Sequence, residues 1–147
     1  MADEHDTGLR IMNPAEIGYS PQAIIVSGGH LKEIASLNSW DKTQVEFFVT
    51  PGSLKNVNAI IPIDLLITLD SDPSNRKVLR HNLRMQVGNT LTSLAVGVPP
   101  KKVDYFRGLA EAATQFIDQA QSHELTDDLV QMRQFVTDIQ NKLSQQP

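Results

Sequence analysis

Apolar residues alternate with polar ones along the first half of the chain and recur every three or four positions along the second. Gln22–Val26 (QAIIV) is a short β-branched run that stops at Ser27–Gly28–Gly29, which reads as a strand entering a tight turn. From His30 to Leu37 the signal is double. Leu31, Ile34 and Leu37 have helical spacing, yet a second hairpin strand after the glycine pair fits as well. Gln44–Thr50 (QVEFFVT) alternates cleanly and places Val45, Phe47 and Val49 on one face. Pro51–Gly52–Ser53 supplies the turn that follows. Asn58–Leu69 reads as a longer strand with Ile61, Ile63, Leu65, Ile67 and Leu69 on its apolar face. Pro62 lacks a ladder donor and so predicts that this strand lies at an edge or is bulged there. The runs together predict a meander of three or four strands.

The pattern changes at Asp72–Pro73. Asp at an N-cap accepts orphan amide protons and Pro at the first helical position wastes no donor, so a helix is expected to begin here. Leu79, Leu83, Val87, Leu91 and Leu94 form its stripe, although Leu83, Met85 and Val87 also alternate as a strand would. The segment 73–96 is therefore one helix or partly strand, and Gly97 with Pro99–Pro100 ends it. Val103, Phe106, Ala110, Ala113, Ile117 and Ala120 then step by three and four, as do Leu129, Met132, Val136, Ile139 and Leu143. Thr126 reads as the N-cap of the second run, with Asp127 and Asp128 complementing its dipole. Two helices with a short connection pack as an αα-hairpin. The fold class expected is α+β: a small antiparallel sheet from the N-terminal half, followed by amphipathic helices ending in an αα-hairpin. Residues 1–13 read as a flexible acidic tail, and residues 14–147 as a single domain, β-rich over 20–70 and helical over 73–145.

Composition adds limits rather than a function. A chain of 147 residues, 40% apolar and 20% charged, can bury a core without staples. It has no cysteine, which removes disulfides, thiolate metal sites and cysteine nucleophiles. No signal-peptide pattern or bilayer-length apolar run is present, so a cytoplasmic protein without membrane contact is expected.

Charge is unevenly placed. Residues 1–72 carry four Lys/Arg against ten Asp/Glu, residues 73–102 carry six basic residues and no acid, and residues 103–147 carry three against seven. Within the basic island, Arg76, Arg80 and Arg84 share one helical face, with Lys77 nearby. Guanidinium forks suit phosphates and carboxylates alike, so three readings stand: a solvated face, pairing with the acidic flanks within or between subunits, or a nucleic-acid or phosphate site. An overall pI near 5.5 disfavours duplex binding as the main task.

Other candidate chemistry is sparse. Asp70 and Asp72 at the end of an apolar run invite comparison with a magnesium site, and the plainer reading makes Asp72 a cap and leaves Asp70 in solvent. His5, His30, His81 and His123 have no ligand spacing. No phosphate loop, nucleophile elbow or cofactor fingerprint appears, so neither a metal nor a cofactor is expected. Ile17–Gly28 (IGYSPQAIIVSG) resembles the N-terminal phrase of the reactive-intermediate imine deaminase family, while that family's downstream arginine region and sheet–helix order are not found in this chain. The hairpin has two compatible readings: it closes the core over the sheet, or a second stripe, Tyr105, Leu109, Ala112 and Phe116 with Phe135 opposite, exposes an apolar edge for self-association. The expected function is that of a non-enzymatic assembly or protein-interaction protein acting as a homo-oligomer or on another protein, with the Arg76/Arg80/Arg84 face as an alternative nucleic-acid or phosphate-binding site.

Overall fold

The computed structural model describes residues 9–11, 22–49 and 57–145. It has an α+β architecture in which a four-stranded sheet carries helices packed on one face. The strands are β1 (Leu9–Ile11), β2 (Ala23–Ser27), β3 (Glu46–Val49) and β4 (Val57–Pro62), in the order β1-β3-β4-β2. β3 and β2 flank β4 antiparallel, and β1 lies parallel to β3. This is not the sequential meander expected from the turn signals. A helix, α1 (Gly28–Ala35), follows β2 and carries the chain across, so β3 and β2 end on opposite sides of β4. β1 falls within the stretch read as a tail, and the rest of that stretch lies outside the described residues.

The ambiguous segment after Gly28–Gly29 is thus helical. Leu31 and Ile34 point into the core, and Gly28 takes a φ of +49°, a left-handed value that a side chain would resist.

The long strand expected over Asn58–Leu69 is two elements. β4 stops at Pro62, and α2 (Ile63–Asp70) starts at once. Ile63, Leu65, Leu66, Leu69 and Asp70 are buried while Asp64 and Thr68 face out, which is helical spacing. An apolar run buried nearly all round carries no period strong enough to separate strand from helix. Pro62 needs neither an edge nor a bulge: β4 is central, and Pro62 is its last residue, past the point where β3 begins at Glu46 opposite Ile60.

The next helix, α3 (Pro73–Ser93), is continuous, with no strand in it. Asp72 caps it, accepting from the Ser74 amide at 2.9 Å, and Leu79, Leu83 and Val87 are fully buried. α4 (Val103–Ala120) and α5 (Asp127–Ser144) form the helical hairpin. α4 sits centrally, against α5 on one side and α2 and β2 on the other, so both of its stripes are covered. Among the described residues no helix is long and apolar enough to cross a membrane.

Candidate functional site

The arginine face is the densest cluster of basic charge in the sequence. Arg80 is only 1% exposed and faces Asp70, which is fully buried at the end of α2. Its guanidinium grips that carboxylate with two parallel bonds, Nε to Oδ1 at 2.8 Å and NH2 to Oδ2 at 2.9 Å. The same group donates to the carbonyls of Ala120 and Glu124 and to Thr126 Oγ1, at 2.9, 2.8 and 3.0 Å. All of its N–H donors are therefore spent. Arg80 ties the ends of α2 and α4 and the start of α5 to one point. Two unexpected details belong to this knot. His123 Nδ1 lies 2.8 Å from Asp70 Oδ2, and the Thr126 hydroxyl accepts from Arg80 instead of capping α5.

The neighbouring arginines are held in the same way. Arg76 donates to the Asp70 carbonyl at 3.0 Å and to Glu124 at 3.1 Å. Arg84 donates to Asp128 at 2.7 Å and contacts His81 Nδ1 at 3.2 Å. Of the three readings, pairing with the acidic flank inside the molecule is the one observed, and the anion-binding reading loses the groups it needs. Lys77 is exposed beside an open groove of about 500 Å³ lined also by Glu33, Val78, His81 and Asn82. The magnesium reading of Asp70 and Asp72 fails on the same geometry: Asp70 is not in solvent but clamped. Asp72 is engaged with Ser74, whose hydroxyl and then amide hold its carboxyl below the usual range.

The apolar edge expected on the hairpin is not an edge either. Leu109 and Phe116 are buried in the core. Phe135 lies over Gly88 of α3, where an added Cβ would come within 3.1 Å of its ring. Tyr105 stacks edge-on against Phe106 with centroids 5.0 Å apart, and burial pushes its hydroxyl pKa up. α4 packs on both sides, so the stripe read as an outer edge is largely part of the core.

The open chemistry lies in the main chain of β2, a terminal strand of the sheet. Ile63 N–H donates to the Gln22 carbonyl at 2.8 Å, which fixes the alternation of the β2–β4 ladder: Gln22, Ile24 and Val26 turn their main-chain groups toward β4. Ala23, Ile25 and Ser27 therefore turn theirs outward. At the Ser27 end, Gln86 of α3 takes the outward amide, its Oε1 lying 3.4 Å from both Ser27 N and Ser27 Oγ. The outward N–H and C=O groups of Ala23 and Ile25 meet no partner among the described residues. Such a row is a template for another strand.

Three features surround this edge. Ile25 is half-buried opposite Ile60, which is also half-buried, so an apolar pair accompanies the free main chain. At the Gln22 end lies a pocket of about 410 Å³ lined by Gln22, Pro62, Ile63, Asp64, Gln115 and Gln119. At the other end α1 begins without a side-chain cap and without an acid in its first turn, because the Ser27 hydroxyl is turned to Gln86. The nearby side chains form a satisfied amide network. Asn82 donates to the Val78 carbonyl, so its Oδ1 accepts from His30 Nδ1 at 3.2 Å. His30 Nε2 then receives Asn89 at 3.4 Å. Comparison of the chain with family models, curated proteins and solved structures gave no match.

Proposed function

We propose that this is a non-enzymatic assembly protein that works by self-association, and that the contact runs through the outward edge of β2. The observation that carries the reading is the pair of outward main-chain positions, Ala23 and Ile25, without a partner among the described residues, on a terminal strand with a half-exposed isoleucine beside them. Backbone edges recruit strands without any side-chain motif, which suits a chain whose charged motifs are consumed internally. Aliphatic contact and main-chain hydrogen bonding dominate such a joint, so salt has little leverage on it.

Absolute mass by light scattering on a sizing column tests this directly. A discrete species at a multiple of 16.3 kDa that persists from low to high salt, weakened only modestly, is expected. A monomer across the accessible concentration range contradicts it. An oligomer that dissociates in salt would instead assign the contact to charged side chains.

A further inference from the structure

We propose that the occupant of the β2 edge is the β2 edge of a second copy, joined antiparallel about a two-fold axis at Ile24. This rests on the self-association reading and specifies its geometry. The outward positions, Ala23 and Ile25, flank Ile24 symmetrically. An antiparallel partner centred there sets Ala23 against the partner's Ile25 and Ile25 against the partner's Ala23, each as a hydrogen-bonded pair that exchanges both main-chain bonds. Each outward N–H and C=O of Ala23 and Ile25 that lacks a partner among the described residues then meets its complementary group at the opposed position of the other copy, as an isologous interface requires. The ladder stops where it should, because Gln86 already holds the Ser27 amide.

Charge complementarity supports a second copy over a foreign strand. Within one chain Gln22 lies opposite Ile63, one residue before Asp64. In the proposed register Gln22 lies opposite the partner's Val26. The partner's Ser27 and Gly28 therefore come level with Asp64, at the mouth of the pocket lined by Gln115 and Gln119. What arrives there is the uncapped N-terminus of the partner's α1, with no acid in its first turn. Asp64 lies in the first turn of its own α2, is exposed and has no ion-pair partner among the described residues, so its negative charge serves the start of α2 and is also open to a second helix start. Nothing lies within 4 Å of where a Cβ at Gly28 or Gly29 would project, so the approaching face is open.

The chain contains no cysteine, so introduced thiols report the register without interference. Ala23→Cys and Ile25→Cys are prepared separately and cross-linked by mild oxidation, alone and mixed, with Gln131→Cys on exposed α5 as the control. Hydrogen-bonded partners sit about 5.5 Å apart at Cα, within disulfide reach. Covalent dimer is expected several-fold more in the mixture than in either single variant, and little with Gln131→Cys. An oligomer by light scattering without that preference overturns the register but leaves self-association standing, and a monomer overturns both. Should a cysteine variant fail to fold, Asp64→Asn serves on a surface position: its dimer dissociation constant is expected to rise at least about five-fold. An unchanged constant overturns the docking of α1. A stable monomer that gains a strand only from added extended peptides assigns the edge to a foreign segment and overturns the proposal.

Discussion

The two ends of β2 and α2 show opposite treatments of polar groups. Where α2 ends, Asp70 and Arg80 are buried together, and the donors of the guanidinium are all met by a carboxylate, two carbonyls and a hydroxyl. Among the described residues no buried side-chain nitrogen or oxygen lacks a partner. Along β2, by contrast, main-chain groups at two successive outward positions meet no partner among the described residues. The first region is chemically loud in the sequence and closed in the fold. The second is silent in the sequence and open. Charge density along a chain therefore marks where the fold is tied as readily as where it binds, and accounting for donors in three dimensions separates the two cases.

The contrast can be broken most forcefully at Arg80. Arg80→Ala leaves Asp70 buried with its main counter-charge gone and strands the Ala120 and Glu124 carbonyls. Loss of about 3–5 kcal/mol in urea unfolding is expected, with the folded fraction still assembling as before. Arg80→Lys recovers only part of this, since an ammonium cannot span the same set of acceptors. Phe116→Ala probes the hairpin, removing a fully buried ring. A loss of about 3–5 kcal/mol is expected, again without a change in association of the folded protein. A shift in oligomer mass at unchanged stability would restore the hairpin as the interface.

Ile25→Pro reverses the pattern. Its N–H points away from β4, so proline removes no internal ladder bond while denying one to any added strand. Unfolding free energy should change by about 1 kcal/mol or less, while assembly is lost on the sizing column. The smallest effect belongs to Asp72→Ala. The folded carboxyl titrates below its unfolded value, so its stabilisation is complete above the ordinary carboxylate range and fades as pH falls through the folded pKa. Urea melts of the two proteins should therefore differ at neutral pH and converge in acid.

Much of the helical half was legible in the sequence. Asp72–Pro73 marks the start of α3, and the three-and-four spacing of Leu129, Met132, Val136 and Ile139 marks the buried face of α5. α2 was not legible, because Ile63–Leu69 is apolar on nearly every side and periodicity had nothing to contrast. The arginine spacing was visible, and pairing with acids was among its readings, but the choice depended on Asp70, Glu124 and Asp128 converging from distant positions. The edge was least visible. Which strand ends a sheet follows from non-local pairing, and here α1 diverts the chain so that β2 lies beyond β4.

The most direct test of that edge is amide hydrogen exchange of Ala23, Ile25 and Ser27 followed by NMR across a concentration series. The account predicts that Ala23 and Ile25 gain protection as concentration rises, while Ser27, held by Gln86, does not depend on it. Protection at Ala23 and Ile25 that is independent of concentration, or gains confined to α4 and α5, would contradict it.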